Sequence, residues 1–342
     1  MTINGLNEFI KRKFVSNGIQ VAYNKIPLSK LKQKRIAIDC SEYMYSYYNV
    51  VKKDILSSDK WERRFVNGAW QRPSEKDIAF GVCKRFISLS HQLMLCENTP
   101  IFVFDGEPYE AKSSTKAMRS ERHKKAKEEL ERAMADPSNY DLYAQRELRC
   151  GIPPKEYKEE LSDLFTVMGI RHYHAPNESD TLCAQLCRDG LADIIMSQDC
   201  DQIAYGAGTI IKKYEFILGE PYITFTHPHV LYGGLNLTHK QMIDFCVMCG
   251  TDYNNNVPHN GPETCFSLIK KYGSLDAVAS VDSRYDNEEM RTARSIFTMQ
   301  IQVPQPNVSN ITPDEYIARW AHNNEMLQYM KDWIVTFRSL LP

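Results

Sequence analysis

The stretch IFVFD at residues 101–105 decides the fold of this chain, because an uninterrupted apolar run ends there at a single carboxylate. Two other stretches have the same form. The run IAI at residues 36–38 leads to Asp39, and the run IIM at residues 194–196 is soon followed by Asp199. Short, continuous apolar runs are typical of strands buried in a parallel sheet. Ligands of an open α/β sheet bind beyond the carboxyl ends of its strands, so we expect these carboxylates to face one crevice.

Acidic residues stand at five such places, each after an apolar run or at the start of a predicted helix. They are Asp39, Asp105, Glu178 with Asp180, Asp199 with Asp201, and Asp252. Carboxylates packed together repel one another and cannot all stay ionised without compensation, which bound cations would supply. Oxygen ligands suit Mg²⁺ or Mn²⁺, and two such ions about 4 Å apart are the usual arrangement for hydrolysis of a phosphodiester. The pattern therefore indicates phosphoryl hydrolysis, although any single Asp could be a solvated turn residue or a helix cap.

The order of the predicted elements indicates an α/β core, because strands and helices alternate. Helical periodicity and stop signals predict helices after Tyr43 and at about 77–96, 155–168, 178–188, 238–249 and 262–272, with a long charged helix that ends near Asp136. Apolar and β-branched runs predict strands at 36–38, 101–104, 172–174, 194–196, 209–217 and 221–226, the last two as a hairpin. The polar segment 57–76 is predicted to be a loop, and the tail after 280 is predicted to end in a helix.

Composition predicts a globular protein of a reducing, intracellular compartment. With 342 residues and 43% apolar content, the chain can bury one large core or two modest ones. No apolar run reaches the roughly 18 residues of a membrane span, and the first residues do not form a secretory block. Ten cysteines lack the dense spacing of a disulfide scaffold. The pairs Cys183 with Cys187 and Cys246 with Cys249 lie in apolar helical patterns, which favours buried thiols over a zinc site.

The net charge of −1 does not exclude nucleic-acid binding, because clustered carboxylates offset clustered basic residues. Basic residues gather from Lys25 to Arg35 and again from Lys112 to Arg132. The second segment also holds several Glu residues, so an exposed helix with ion pairs one turn apart is the alternative to a nucleic-acid contact.

Six motifs occur in an order and spacing that resemble the flap endonucleases, the XPG-type 5′ nucleases of the Rad2 family. The motifs are IAID at 36–39, FVFDGEP at 102–108, KSSTKAMRSERH at 112–123, MGIRHYHAPNESD at 168–180, MSQDCDQIAYG at 196–206 and MCGTDY at 248–253. The resemblance runs from the amino terminus to about residue 275. It implies a mostly parallel, PIN-like α/β nuclease core with a helical arch and a helix-two-turn-helix unit.

The resemblance implies two metal groups that hold two Mg²⁺ ions, with Mn²⁺ as a substitute. Asp39, Asp105, Glu178 and Asp180 would form the first group, and Asp199, Asp201 and Asp252 the second. Asp180 departs from the pattern, since the family usually has Glu there and Asp is one methylene shorter. Asp105 and Asp201 also count among the implied catalytic residues.

The resemblance also implies contacts with the nucleic acid. Lys112 and Arg119 match a basic pair that grips the scissile phosphate, and Tyr45 matches a tyrosine that stacks on the base beside the cut. A core aromatic is the alternative role for Tyr45. Lys52 is expected to face the same region. In the helix-two-turn-helix unit, Gly261, Lys270 and Lys271 are the implied contacts, with a K⁺ ion at the loop; His259 replaces the family's first loop glycine and Glu263 a basic residue.

The expected organisation is a nuclease core interrupted by an arch and followed by helical units. The ranges are 1–105 for the first part of the core, 106–150 for the arch, 151–235 for the second part of the core, 236–280 for the helix-two-turn-helix and 281–342 for a helical extension. The expected activity is 5′ endonuclease and exonuclease cleavage of DNA at flaps or at junctions of single and double strands, carried out by a monomer in the nucleus or another site of DNA replication, with no membrane partner. Lys331 takes the aliphatic place of a sliding-clamp peptide after Gln328, so clamp binding is not expected. The alternatives are an RNA-cleaving endonuclease of the same fold and an inactive nucleic-acid-binding module.

Overall fold

A computed structural model of the chain describes residues 3–16, 23–58, 65–320 and 328–334. The strands are β1 (Asn24–Pro27), β2 (Arg35–Asp39), β3 (Phe65–Val66), β4 (Ala69–Trp70), β5 (Thr99–Phe104), β6 (His172–His174), β7 (Ile194–Met196), β8 (Thr209–Ile217) and β9 (Glu220–Thr226). The helices are α1 (Leu6–Ser16), α2 (Cys40–Ser57), α3 (Glu75–Leu95), α4 (Ser113–Met134), α5 (Tyr140–Arg149), α6 (Glu156–Val167), α7 (Ser179–Arg188), α8 (Asp201–Tyr205), α9 (Pro228–Leu235), α10 (His239–Cys249), α11 (Pro262–Tyr272), α12 (Leu275–Ala279), α13 (Glu288–Thr298) and α14 (Pro313–Ala318).

The chain divides into two compact units, each assembled from three segments. The first, which we call the sheet unit, comprises Met1–Asp39, Leu95–Thr115 and Tyr173–Gln305. The second, the helical unit, comprises Cys40–Met94, Lys116–His172 and Pro306–Pro342. The sequence therefore forms two cores, one of the two outcomes that its length and apolar content allow. Among the described helices, none combines the length and the apolar content that crossing a lipid bilayer requires.

A seven-stranded sheet in the order β1-β9-β8-β7-β2-β5-β6 organises the sheet unit. Parallel pairing joins β5 to β2, β2 to β7, and β7 to β8, whereas β9 pairs antiparallel with both β8 and β1. The central strands are buried along nearly their whole length, which is why they consist of continuous apolar runs. The predicted α/β class with a mostly parallel sheet is confirmed, and so is the hairpin of β8 and β9, whose turn has Leu218 and Gly219 at positive φ.

Several elements of the structure were not predicted, among them two helices and a short hairpin. Helix α1 buries Leu6, Phe9, Ile10 and Phe14, a spacing that fits one face of a helix. Helix α13 lies in the tail at a point where no helix was expected. The segment 57–76 is not a plain loop, because β3 and β4 pair within it as a short antiparallel hairpin; residues 59–64 of that segment lie outside the described residues.

A buried ion cluster joins helices α2 and α5 inside the helical unit. The ammonium group of Lys52 lies 2.6 Å from Glu147 Oε1, and both side chains are 1% exposed. Arg72 donates from Nε and Nη2 to the same carboxylate, at 3.0 and 2.8 Å. The prediction that Lys52 contacts nucleic acid is therefore wrong, because this lysine is enclosed in the protein interior and Glu147 neutralises it there.

Replacing Glu147 by Gln should destabilise the protein by about 3–5 kcal/mol, the usual cost of removing one partner of a buried ion pair. The variant keeps the shape of the side chain but leaves the charge of Lys52 uncompensated. Urea unfolding followed by circular dichroism measures the change.

The matched control is Glu129→Gln, since Glu129 pairs with Arg146 at 2.6 Å but is 46% exposed. An exposed pair should contribute less than about 1 kcal/mol. Equal losses in the two variants would contradict the assignment of a buried, mutually dependent pair.

Candidate active site

Acidic side chains from adjacent parallel strands meet at one edge of the sheet. Asp39 is the last residue of β2 and lies opposite Val103 of β5, so Asp105 follows one position beyond the end of the neighbouring strand. On the other side of β2, Ile38 lies opposite Met196 of β7. Because neighbouring strands are about 4.8 Å apart, the chain segments that leave these three strands begin side by side. The sheet thus brings Asp39 and Asp105 together with the loop that leads from β7 to Asp199 and Asp201.

Helix α7 adds two carboxylates at its amino-terminal end, Glu178 at the cap position and Asp180 in the first turn. Negative charge is favoured at a helix amino terminus. Ser179 lies between them and donates to Asp105 Oδ1 from its backbone nitrogen at 2.8 Å and from its hydroxyl at 2.7 Å. These two bonds fix one oxygen of Asp105 against the start of α7.

Lys112 supplies positive charge among the carboxylates. Its Nζ lies 2.6 Å from Glu178 Oε2 and 3.4 Å from Asp252 Oδ2. Burial alone would lower the pKa of Lys112, but Glu178 and other carboxylates outweigh it and raise that pKa above its ordinary value. Burial also raises the pKa of Glu178, and Lys112 opposes that rise. Lys112 therefore stays protonated and neutralises part of the cluster.

Asp201, the first residue of α8, is the most enclosed acid of the group. Its side chain is buried, and its Oδ1 has no hydrogen-bond partner in the described part of the protein. Burial raises the pKa of Asp201 well above its ordinary value, and neighbouring carboxylates raise it further, namely those of Asp199, Asp180 and Asp252. A buried carboxylate oxygen without a partner costs free energy, so this position favours a cation.

The loop that carries Asp199 and Asp201 is fastened to the next strand. Lys212 of β8 donates from Nζ to the carbonyl oxygens of Gln198 and Asp199, the latter at 2.5 Å. Within the loop, the Asp199 nitrogen donates to Ser197 Oγ at 3.1 Å and the Asp201 nitrogen to Asp199 Oδ1 at 3.2 Å. The backbone of this loop is thus held on both sides of Asp199.

Asp180 is oriented by Gln202, which follows Asp201 in α8. The Gln202 amide donates to Asp180 Oδ1 at 2.7 Å and to the Asp180 carbonyl oxygen at 3.2 Å. This bond draws the shorter Asp180 side chain towards α8, on the side where Asp201 lies. Asp180, which stands where the family usually has Glu, is therefore held by a hydrogen bond from Gln202.

Asp252 comes from the loop between α10 and α11. The Thr115 hydroxyl donates to its carbonyl oxygen at 3.0 Å. The next residue, Tyr253, has its ring 5.8 Å from Lys112 Nζ and its hydroxyl 3.4 Å from that of Tyr205. Tyr205 and Tyr253 thus form a buried aromatic layer next to Asp252 and Lys112.

The carboxylates are grouped but do not form a closed ligand set. In the residues that the structure describes, no three His, Cys, Asp or Glu side chains converge so as to hold one ion. Lys112, Ser179 and Gln202 hold individual carboxylates of the group. The donor set nevertheless fits a hard cation: it consists of carboxylate oxygens, and the Asp201 Oδ1 atom is unsatisfied.

Two other predicted site residues lie in the helical unit. Arg119 is an exposed residue of α4, and Tyr45 of α2 is 46% exposed. Lys112 does not share a helix with Arg119, because it ends a short 3₁₀ turn before α4 begins at Ser113. The phosphate contact of Arg119 and a stacking role for the exposed Tyr45 ring stay predictions.

Helices α10 and α11 form the predicted pair around an Asn-rich loop. Helix α10 begins at Thr238 with a capping box, and α11 begins after Gly261 with Pro262 in its first turn. His259 adopts φ of 65°, a conformation that favours glycine, so the loop keeps a glycine-like turn although the family's first glycine is absent. Lys270 and Lys271 occupy the last turn of α11.

Glu263, which stands where the family has a basic residue, forms ion pairs within the protein. Its carboxylate lies 2.9 Å from Lys13 Nζ and 3.6 Å from Arg12 Nη2. Both cations belong to α1, the helix that was not predicted. Glu263 therefore fastens α1 to the start of α11.

Sequence reasoning missed the residues that hold the carboxylates in place, namely Ser179, Gln202 and Lys212. Ser179 stands between Glu178 and Asp180, and Gln202 follows Asp201 directly, so their positions next to the acids were an available signal. Lys212 carried no such signal, because its contact with Asp199 depends on the pairing of β7 with β8.

Comparison with known proteins gives two matching family models. The XPG N-terminal domain matches residues 1–126, and the XPG I-region matches residues 169–252. Together they cover more than half of the chain, and they contain all seven of the predicted metal-binding carboxylates.

Similar sequences and structures agree with the family models. Flap endonuclease 1 of Cryptosporidium parvum (strain Iowa II) is 25% identical over 357 residues, covering 98% of this chain and 66% of the relative. Flap endonuclease 1 of Babesia bovis is 29% identical over 272 residues, covering 79% of this chain and 38% of the relative. The chain thus spans between 38% and 66% of the length of these two relatives.

The catalytic core of Rad2 in complex with a DNA substrate is a similar solved structure. It superimposes with a TM-score of 0.63 and 19% identity over 99% of this chain and 100% of that chain. At this identity the likeness shows the fold, and it agrees with the mostly parallel sheet. The motifs, the matched family models and the shared fold lead to one conclusion: this chain belongs to the XPG family of nucleases.

Proposed function

We propose that the protein is a divalent-metal-dependent nuclease that hydrolyses DNA phosphodiesters at 5′ flaps or at junctions of single and double strands. The observation that carries this proposal is the buried Asp201 carboxylate, whose Oδ1 has no hydrogen-bond partner in the described residues. Asp199, Asp180 and Asp252 all act on its charge. Such a group of buried acids lowers the stability of the folded protein. A reaction that depends on bound cations would explain why the protein keeps it.

Two Mg²⁺ ions are the proposed cofactors, with Mn²⁺ as a substitute. Asp39, Asp105, Glu178 and Asp180 would hold one ion, and Asp199, Asp201 and Asp252 the other. When bound, such ions neutralise charge on phosphate oxygens and lower the pKa of water. The family membership of the chain and the oxygen-only donor set support this proposal.

Lys112 is proposed to bind the scissile phosphate. Its ammonium group stays protonated because the surrounding carboxylates raise its pKa. With cations at Glu178 and Asp252, these carboxylates would no longer need Lys112 as their counter-charge, and its ammonium group would be available to donate to a phosphate oxygen. A donor placed in a site of low water content stabilises developing charge more strongly than it would in bulk water.

Duplex DNA is proposed to bind at the start of α11. Gly261 caps this helix, and a Cβ atom added there would meet no atom of the described residues within 4 Å, so the start of α11 has space for a phosphate. Lys271 adds positive charge at the other end of α11, whereas Lys270 donates to the Asn236 carbonyl oxygen at 2.9 Å. The arch at 106–150, the phosphate contact of Arg119 and the K⁺ site at the loop remain predictions.

Asp201→Asn should lower DNA cleavage in Mg²⁺ by more than about 100-fold, because an amide cannot replace a charged ligand of the cation. A panel of labelled substrates measures this effect. The panel contains a 5′-flap duplex, a nicked duplex, a single strand and an RNA of the flap sequence.

The control for this variant is Asp286→Asn, which removes an exposed carboxylate that pairs with Arg291. It should cleave like the wild type. Undiminished cleavage by Asp201→Asn would refute the proposed site, and cleavage of the RNA alone would replace DNA by RNA as the substrate.

Mg²⁺ should stabilise the wild-type protein against heat, because the ions bind the folded carboxylate cluster and not the unfolded chain. At a concentration 100 times the dissociation constant, the gain would be about 2.7 kcal/mol. Differential scanning calorimetry in EDTA and in Mg²⁺ measures the shift in melting temperature. Asp201→Asn should lose most of this shift, and an equal shift in both proteins would place the bound ions elsewhere.

Lys212→Met should raise the Mg²⁺ concentration that gives half-maximal activity by about 10–100-fold, the usual effect of removing a residue that orients metal ligands. Its ammonium group holds the backbone on which Asp199 and Asp201 are carried. Titration of cleavage rate against Mg²⁺ measures the half-saturating concentration. Lys212→Arg should restore much of the lost affinity, since it keeps the donors.

The neighbouring Lys213 provides the control for Lys212. It pairs with Glu215 on the exposed side of β8, at 2.6 Å. Lys213→Met should leave the half-saturating Mg²⁺ concentration unchanged. Equal effects of the two variants would show that Lys212 acts through general charge and not through the loop.

A further inference from the structure

Apart from the carboxylate site, the sheet unit has a basic pocket between helices α7, α10 and α13. Its volume is about 350 Å³, and its polar lining includes Arg188, Lys240, Asp244, Arg294 and Gln300. This pocket takes no part in the proposed metal chemistry. Asp180 and Arg188 stand at opposite ends of α7, and eight helical residues rise about 12 Å. Helix α10 likewise begins at the pocket and ends shortly before Asp252.

Positive charge in the pocket exceeds negative charge. Asp244 is the acid of the lining, and it is fully buried and already bonded: Arg294 Nε lies 2.9 Å from its Oδ1, and the Leu275 nitrogen donates to its Oδ2 at 2.9 Å. Arg188 donates to neutral acceptors, including the Tyr205 carbonyl oxygen at 3.2 Å. Among the described residues, no carboxylate forms a salt bridge with Arg188 or Lys240. The positive charges of these two side chains therefore have no ion-pair partner in that part of the chain.

Arg294 presents an unsatisfied donor at the same place. Its Nη1 is bonded to Asp276 at 2.9 Å, but its Nη2 is buried and has no hydrogen-bond partner in the described part of the chain. A buried guanidinium nitrogen without an acceptor costs free energy, which an anionic oxygen would recover. The pocket also lies at the first turn of α10, whose helix dipole favours an anion.

We infer that this pocket binds a phosphate group, held by Arg188, Lys240 and Arg294. A planar guanidinium group can donate hydrogen bonds to oxygens of a phosphate, and the ammonium group adds charge. Ile243 and Phe297 add apolar surface to the lining. The phosphate belongs either to a free phosphorylated compound or to the backbone of DNA bound to the same molecule.

Phe297 connects the pocket to the carboxylate site through contacts between aromatic rings. Its ring centroid lies 5.0 Å from that of Tyr205 and 5.7 Å from that of Tyr253. Tyr253 follows Asp252 directly and faces Lys112. A group bound in the pocket therefore rests on the aromatic layer next to the proposed metal site, although its binding does not depend on the proposed nuclease activity.

Calorimetric titration of the wild-type protein with inorganic pyrophosphate tests the inference. The buffer contains EDTA and no divalent metal, so that the carboxylate site attracts no phosphate through a cation. Lys240→Ala and Arg188→Gln should each weaken pyrophosphate binding at least about ten-fold, the loss expected for one charge-assisted hydrogen bond. Lys240 is exposed, so its removal should leave the melting temperature unchanged.

Lys213→Ala is the matched control, since it removes an exposed lysine of the same unit outside the pocket, and it should bind pyrophosphate like the wild type. Absence of pyrophosphate binding to the wild type, or equal affinity of the wild type, Lys240→Ala and Arg188→Gln, would overturn the inference. So would an equal loss in Lys213→Ala, because the effect would then be one of general charge.

Binding of a labelled flap duplex, measured by fluorescence anisotropy across a range of salt concentrations, identifies the source of the phosphate. If the pocket holds the DNA backbone, Lys240→Ala should lower DNA affinity and reduce the slope of log affinity against log salt by about one. If the pocket holds a free phosphorylated compound, DNA affinity and slope should be unchanged while pyrophosphate binding is lost. Both results support the pocket as a phosphate site.

Discussion

Repulsion between buried carboxylates is the constraint on which this structure depends. Asp201 stands in a buried position with three other acids acting on its charge, and Lys112 is the cation that opposes them. A site of this kind costs stability in the absence of a cation, because each charge raises the energy of the others. The rest of the sheet unit serves to hold these acids at the same edge in spite of that repulsion.

Each acid is held by a different local device. Asp39 belongs to the sheet itself, Asp105 is bonded to the start of α7 through Ser179, and Asp180 is drawn towards α8 by Gln202. Lys212 fixes the loop of Asp199 and Asp201 through carbonyl oxygens and so adds no competing bond to the carboxylates. The carboxylates are therefore positioned through single side-chain oxygens or through the backbone.

Two buried lysines show how context decides the role of the same side chain. Lys52 and Lys112 both pair with a glutamate at 2.6 Å. Lys52 and the half-exposed Arg72 both pair with Glu147, so no negative charge of this cluster is left over and its role is structural. Lys112 faces more negative charge than it can neutralise. The excess distinguishes a site that can accept cations from an ion cluster that stabilises a helical core.

The sequence by itself determined the class of fold and the carboxylates of the site. Continuous apolar runs are typical of central parallel strands, and the acids that follow β2, β5 and β7 are then expected at one edge of the sheet. The sequence also indicated the pair of helices around Asp252. It did not predict α1 or α13, whose apolar faces became evident only as packing surfaces.

Only the tertiary structure decided which charged groups meet. Nothing local distinguishes Lys52, enclosed with Glu147, from Lys112 among the acids, because both partners are distant in sequence. The glycine-like turn at His259, the bond from Lys212 to the Asp199 loop and the basic pocket around Lys240 likewise depend on the path of the backbone and on contacts between separate elements. Sequence periodicity reports which side of an element is buried, but electrostatic partners are set by the arrangement of those elements in space.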